Sequence, residues 1–229
     1  MNFDVRYMEP DQLAAFLLPT FTAMGFALPK ERVEQIQTLP ELVTRLGAFV
    51  DGRVVGSAGA HALSLTVPGG VQVDTAGITM VGVLPTHRRR GVLSRLMRDL
   101  LNEAHQQGKP LAALFASEGS IYRHFGFSMA ALGVEAEIDR AHTAFVTDAP
   151  QRAVSARLVG EEEAVATFPA VWERVRLQQP GMMARSAAWW RVRRLGDPPW
   201  LRSGRVPLQR VLLEHDGRVR IAPSNRLFV

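Results

Sequence analysis

Cysteine is absent from this 229-residue sequence, which excludes disulfide bonds, thiolate metal ligands and a cysteine nucleophile. No apolar run approaches the roughly 20 residues that a helix needs to cross a bilayer, so we expect no membrane partner. The first residues show no basic stretch followed by an apolar one, so no signal peptide is predicted. None of the six histidines forms an H-x-x-x-H pair, and we expect no metal. These features favour a cytoplasmic protein.

Lysine is scarce as well, since it occurs only at Lys30 and Lys109 and arginine supplies the other basic side chains. The charge is unevenly distributed: residues 1–150 carry a net charge of −2, and residues 151–229 carry +7. A basic segment can bind an acidic partner, so an interaction module at 151–229 is one possible function. The chain has no zinc-finger spacing and no RNP-type aromatic motif, and we therefore do not expect nucleic acid.

The pattern of apolar residues and turn residues predicts a mixed α/β (α+β) fold, with a central sheet flanked by helices. Before residue 90 it predicts a strand at 2–7, helices at 10–24 and 29–39, and antiparallel strands at 45–50, 53–67 and 71–84. Pro19 is expected to kink or break the first helix. Asp51 and Gly52 are typical of a two-residue hairpin turn.

Residues 91–107 show the clearest helical periodicity in the chain. The predicted elements that follow are a buried strand at 111–116, a short helix within 117–125 and a strand at 127–138. A strand, a helix and a second strand in succession favour parallel pairing of the two strands. The segment from 149 onward predicts strands at 155–159, 208–214 and 218–221 and a helix at 161–178, followed by an apolar stretch at 184–195.

Residues 80–93 combine an apolar strand, a loop with three arginines and the start of this helix. A helix start exposes unpaired backbone N–H groups and carries the positive end of the helix dipole. Gly91 has no Cβ, so the backbone there can approach a ligand closely. The combination predicts a phosphate site, although the loop lacks the spacing of a P-loop or of a dinucleotide-binding G-x-G-x-x-G. A surface turn with solvated arginines is the alternative.

Arg88-x-x-Gly91-x-Leu93 resembles the pyrophosphate loop of the GCN5-related N-acetyltransferases (GNATs), with Leu in place of the last small residue. The two blocks at 83–93 and 116–127 together resemble the Eis (enhanced intracellular survival) family of these enzymes. The resemblance implies a GNAT domain at 1–148 that binds acetyl-CoA. It also implies an incomplete second GNAT-like domain at 149–229.

The resemblance places CoA against the backbone of Val81, Gly82 and Val83. It places the pyrophosphate at the loop and helix start, formed by Arg89, Arg90, Gly91, Val92, Leu93 and Ser94. Ser117 and Glu118 would lie beside the pantetheine arm, and Tyr122 matches the general acid of the family. From the residues alone, Tyr122 could instead pack into the core, and Glu118 could instead cap a helix.

The implied activity is acetyl transfer from acetyl-CoA to an amine: an aminoglycoside, a polyamine-like compound or a lysine side chain. In that family the terminal carboxylate of the longer chain serves as base, and many members are hexamers. This chain ends at Val229 and resembles a truncated member, so we do not assign the base to Val229. A substitute base is possible at Glu118, His87 or His124. We expect a monomer or a polydisperse assembly. A CoA-binding remnant without turnover is the alternative function.

Overall fold

The computed structural model describes residues 2–132, 140–142, 154–202, 206–215 and 218–221. These residues form a five-stranded sheet in the order β1-β2-β3-β4-β5 and a three-stranded sheet in the order β6-β7-β8. Helices flank the first sheet, which confirms the predicted mixed α/β fold. None of the helices in these ranges is long and apolar enough to span a membrane.

The strands of the first sheet are β1 (Asp4–Tyr7), β2 (Leu42–Val50), β3 (Arg53–Thr66), β4 (Gln72–Val83) and β5 (Leu111–Ala113). Its helices are α1 (Leu13–Ala23), α2 (Lys30–Gln37), α3 (Val92–Gln106) and α4 (Gly119–Tyr122). The later elements are β6 (Val154–Leu158), α5 (Glu161–Arg176), α6 (Ala187–Trp189), β7 (Val211–His215) and β8 (Arg218–Ile221). A π-helical turn, Trp190–Arg194, continues α6.

The first four strands pair antiparallel, and β5 then pairs parallel with β4, as the strand-helix-strand order predicts. The turn between β2 and β3 is the predicted hairpin, because Asp51 and Gly52 both adopt positive φ angles of 48° and 75°. A register shift between Ser57 and Gly59 interrupts the pairing of β3 with β4. This irregularity lies in the half of β4 that approaches residues 84–91, which contain Arg88, Arg89 and Arg90 and are called the arginine loop below.

Two apolar layers cover the two faces of the first sheet. On one face, α3 buries Val92, Leu96, Met97 and Leu100 against β2, β3 and β4, which accounts for its apolar periodicity. On the other face, α1 and α2 pack on the sheet through side chains that include Phe16, Leu17 and Ile36. The arginine loop joins β4 to α3, so the layer containing α3 holds the start of that helix in place.

Three sequence predictions for this sheet are wrong in part. Helix α1 continues through Pro19, because Phe16, Leu17 and Thr20 are buried around it and the packing offsets one missing backbone hydrogen bond. Strand β5 ends at Ala113, because its pairing with β4 stops there and Phe115 is 96% exposed. Residues 127–132 form no strand, and the rest of the predicted strand, 133–138, lies outside the described residues.

The second sheet packs against α5 around Phe168, Trp190, Leu195 and Leu212. Strands β6, β7 and β8 and helix α5 form close to their predicted positions, whereas 184–195 contains only α6 and the π-helical turn. Contacts join this segment to the first sheet: Leu65 forms a β-bridge with Met183, and the Thr66 hydroxyl donates to the carbonyl of Arg176 over 2.7 Å.

Candidate active site

Strand β4 has an open edge where it approaches the arginine loop. Its pairing with β5 ends at Gly77, whereas β4 continues to Val83. The Leu84 N–H donates to the Val55 carbonyl on the β3 side. Because strand backbone groups alternate in direction, Val81 and Val83 present their N–H and C=O groups toward the open edge. An extended chain with amide groups could add there as a strand would.

The structure explains why residue 82 is a glycine, which no local sequence pattern indicated. Gly82 is buried under α1, and a Cβ built at this position would lie 2.7 Å from the backbone nitrogen of Thr20 and 2.8 Å from its hydroxyl oxygen. Glycine therefore permits α1 to lie directly on β4. The side chains of Val81 and Val83 pack instead with the layer around α3.

The loop before α3 has the backbone shape of an anion site. Arg89 and Gly91 both adopt positive φ angles, of 59° and 80°, and Gly91 is the residue that precedes the first turn of α3. Among the described residues, no atom beyond the adjoining backbone lies within 4 Å of the position that a Cβ on Gly91 would occupy. The space above Gly91 is therefore open to a ligand. Successive N–H groups in turns of this kind form concave anion-binding surfaces.

The first turn of α3 adds to this site, because the N–H groups of Val92, Leu93 and Ser94 precede the residues that make intrahelical bonds. The first such bond runs from the Arg95 N–H to the Gly91 carbonyl, at 3.0 Å. Positive charge surrounds the helix start, since the side chains of Arg88, Arg89 and Arg90 are exposed. Charge, dipole and donors together favour a phosphate.

A cleft of about 690 Å³ lies between α3 and α4. This volume is within the ordinary range of small-molecule sites. The residues that line it are Leu93, Ser94, Arg98, Leu101, Asn102, Ser120, Ile121, His124 and Phe125. The cleft thus extends from the predicted anion site along the exposed side of α3 to the short helix that carries Tyr122.

Tyr122 is half-buried at the end of α4 and packs with the layer around α3. Its ring meets Phe127 edge to face, with centroids 6.0 Å apart. Burial raises the pKa of the Tyr122 hydroxyl above its usual value of 10, and the charge of Glu118 raises it further. The phenol therefore holds its proton at neutral pH, as a general acid must. The packing of this ring is compatible with the predicted role of Tyr122 as a proton donor.

Ser117 and Glu118 are exposed at the entrance to α4. Glu118 is the residue that precedes the helix, yet its side chain makes no capping hydrogen bond. Helix capping therefore does not explain this carboxylate. His124 lines the cleft, whereas His87 bonds through Nδ1 to the Thr86 hydroxyl at 2.8 Å. No group of three or more metal-ligating side chains occurs within the described ranges.

Most of the predicted site residues fall into two neighbouring groups, whereas Ser117 and Glu118 belong to neither and lie at the entrance to α4. Val81, Val83, Leu93 and Tyr122 pack with one apolar layer around α3. The arginine loop and Ser94 lie at the start of the same helix. The sequence analysis missed Arg98 and Asn102, which line the cleft. Their spacing of four and eight residues from Ser94 was an available signal, because residues so spaced share one face of a helix.

A family model described as an acetyltransferase (GNAT) domain matches residues 4–130. The chain is 37% identical over 231 residues to an uncharacterised N-acetyltransferase of Streptomyces avermitilis, with coverage of 98% of this chain and 56% of that protein. It is 39% identical over 188 residues to N-acetyltransferase Eis of Mycobacterium tuberculosis, with coverage of 80% and 47%. The crystal structure of Eis1 from Mycobacterium abscessus matches with a TM-score of 0.67 at 28% identity, covering 95% of this chain and 52% of that one.

The family model covers more than half of the chain, so the chain belongs to the GNAT acetyltransferase family. Within that family its relatives include the Eis proteins, which confirms the resemblance carried by the blocks at 83–93 and 116–127. The chain spans about half the length of the curated relatives it matches.

Proposed function

We propose that this chain transfers the acetyl group of acetyl-CoA to an amine of an aminoglycoside, a polyamine-like compound or a lysine side chain. The observation that carries the proposal is the grouping around α3. Val81 and Val83 at the open edge of β4 and the side chain of Tyr122 pack with the apolar layer around α3, and the Gly91 turn begins that helix. The resemblance to N-acetyltransferase Eis supports the choice of an amine acceptor.

The proposed site offers hydrogen-bond partners for both the anionic groups and the amide groups of acetyl-CoA. The turn at Arg89 and Gly91 and the first N–H groups of α3 would hold the pyrophosphate. The backbone of Val81 and Val83 would hydrogen-bond the pantetheine arm, beside Ser117 and Glu118. When bound, acetyl-CoA supplies a thioester that a neutral amine can attack. A backbone N–H at the open edge would stabilise the negative charge that develops on the carbonyl oxygen.

Tyr122 would donate its phenolic proton to the departing sulfur. Its raised pKa keeps the phenol protonated at neutral pH, so the proton is available when the thiolate leaves. The amine nitrogen releases one proton as the amide forms, and that proton restores the phenol, so the step balances. A protonated amine has no free electron pair, so we expect the rate to rise with pH until the acceptor amine is neutral.

A basic interaction module at 151–229 has little support from the ion pairs of the described residues. Arg157 contacts Glu163, Arg202 contacts Asp197 and Arg210 contacts Glu161, at 2.6 to 2.9 Å. The guanidinium of Arg185 stacks on the Trp172 ring at 3.2 Å from its centroid. These arginines serve internal packing and pairing.

Release of free thiol from acetyl-CoA in the presence of an amine panel tests the proposal. The panel contains an aminoglycoside, a polyamine and a lysine-containing peptide, and we expect steady-state release with at least one of them. If the chain binds CoA yet releases no thiol with any amine, the alternative of a binding remnant is correct. Salt-dependent binding to duplex DNA, without thiol release, would instead support the basic module.

A further inference from the structure

Met80 has an unusual backbone for a strand residue. Its φ is +51°, in the left-handed region that non-glycine side chains rarely adopt. It lies at the register shift between β3 and β4, which we call the Met80 bulge, and Val81 follows it directly. A conformation of this kind persists only where the surrounding structure holds it. The contacts that hold Met80 therefore fix the direction of the Val81 backbone groups at the open edge.

Two buried hydroxyl groups provide such a contact. The Ser57 hydroxyl donates to the Met80 carbonyl over 3.1 Å, and it lies 3.2 Å from the Thr20 hydroxyl. A hydroxyl has one proton, and Ser57 uses its proton on the carbonyl. Thr20 must therefore be the donor in the second bond. The result is a directed chain of hydrogen bonds from α1, through β3, to the bulge in β4.

Burial strengthens these two hydrogen bonds. Ser57 is fully buried and Thr20 is 4% exposed, so water does not compete for either hydroxyl. Thr20 also contacts the strand on the far side of the bulge, because its backbone lies against Gly82. The residues on both sides of Val81 are thus held from the same point on α1.

We propose that Thr20 and Ser57 are positioning residues for acetyl transfer: their hydrogen bonds hold the Met80 bulge so that the Val81 N–H faces the acyl group. This inference rests on the proposed function. Neither hydroxyl touches the reacting atoms, since both are buried beneath the sheet edge. Their role is to keep one backbone donor aimed before the acceptor arrives, which is the source of electrostatic preorganisation.

The test compares Thr20→Val with Thr20→Ser. Valine keeps the shape of threonine and removes the hydroxyl, whereas serine keeps the hydroxyl. We expect kcat to fall about tenfold in Thr20→Val and in Ser57→Ala, and the KM for acetyl-CoA to change less than about threefold. Thr20→Ser should retain kcat. The matched control is Thr44→Val, which removes a buried hydroxyl that donates to Glu103 over 3.0 Å, away from the bulge, and should leave kcat unchanged.

Amide NMR of the free proteins supplies the second readout. The Met80 and Val81 amide resonances should move in Thr20→Val and stay near their parent positions in Thr20→Ser and Thr44→Val. Equal kcat in parent and Thr20→Val, both folded, would overturn the proposal. If the parent shows no turnover, the proposed function fails by itself, and the amide resonances decide the positioning role: unchanged resonances in Thr20→Val would overturn it.

Discussion

Any larger residue at position 91 would strain the backbone and would also occupy the open space above the helix start. The φ of Gly91 is +80°, and no atom lies within 4 Å of a Cβ placed there. The Cβ of a larger residue would therefore project into the space above the helix start. The same open space is what a pyrophosphate needs in order to reach the backbone N–H groups.

We therefore expect Gly91→Val to abolish CoA binding in calorimetry. The matched control is Gly108→Val, because Gly108 has a φ of +71° and no atom within 4 Å of its Cβ position. Both variants carry the same kind of backbone strain, but Gly108 lies beyond the other end of α3. Gly108→Val should bind CoA as the parent does. Parent-like affinity in Gly91→Val would remove the anion-site argument.

Tyr122 gives the second prediction at this scale. Tyr122→Phe keeps the ring that packs beside Phe127 and removes only the proton donor, so CoA affinity should be almost unchanged. The acetylation rate should fall by about 10²–10⁴-fold, the usual contribution of a general acid. The control is Tyr7→Phe at the only other tyrosine, whose exposed hydroxyl bonds to Glu103. If Tyr122→Phe acetylates as fast as the parent, the phenol is structural.

The structure explains which site residues could be predicted from the sequence. Gly91 and the arginines follow a strand and begin a periodic helix, so local pattern was sufficient to find them. Residue 82 is a glycine because its backbone lies against Thr20, which is 62 positions earlier in the chain. The Met80 bulge depends on hydroxyls from two other elements. Neither feature has a local signal, because long-range packing creates both.

At the scale of elements, α3 and β4 are the pair that the site depends on. Gly56 on β3 allows α3 to approach the sheet, since a Cβ there would lie 2.8 Å from Val92 Cγ1 and 3.3 Å from Leu96 Cδ1. Both side chains are buried in the first turns of the helix. The position of the helix start, and with it the predicted anion site, is therefore set by a close contact at Gly56, three residues after the start of β3.

We expect Gly56→Ala to destabilise the fold by about 1–3 kcal/mol, because overpacking forces α3 or the sheet to shift. Gly119→Ala is the control, since no atom lies within 4 Å of its Cβ position and alanine favours a helix. Urea unfolding measures both variants. A Gly56→Ala midpoint equal to that of the parent would show that α3 has room to spare at this point.

The sequence pattern predicted an element well where the residues of that element alone determine the pattern. The apolar stripe of α3 and the hairpin at Asp51 are examples. Periodicity failed at β5, whose length is set by where β4 diverges from it. At Pro19 the periodicity was right and the expected break was wrong, because burial on both sides keeps the helix intact. The division into domains at 1–148 and 149–229 stays a prediction.

At the scale of the whole molecule, His61 lies where the first sheet meets the later segment. It is buried, and its ring meets the Trp189 ring edge to face at 5.2 Å. Burial, assisted by the charge of Arg193, lowers its pKa from 6.5 to about 4, while Glu41 opposes the shift. The neutral imidazole is therefore the form that this contact accommodates.

This shift predicts a loss of stability in mild acid. Between pH 6.5 and 4 the unfolded chain binds a proton at His61 that the folded chain does not, so the free energy of unfolding falls as the pH falls. The total effect is at most about 3 kcal/mol. Urea titrations at several pH values should show a shallower slope in His61→Phe and a parent-like slope in His105→Phe, an exposed position. Equal slopes in parent and His61→Phe would contradict the assignment.

The central claim is that CoA lies on the arginine loop, the start of α3 and the open edge of β4. Amide NMR during a CoA titration tests it most directly, because each backbone N–H in the proposed site reports separately. We expect the resonances of Gly91, Leu93, Ser94, Val81 and Val83 to move, and those of α5 to remain in place. Saturating CoA that leaves the Gly91–Ser94 and Val81–Val83 amides unmoved, or that moves α5 instead, would contradict the account.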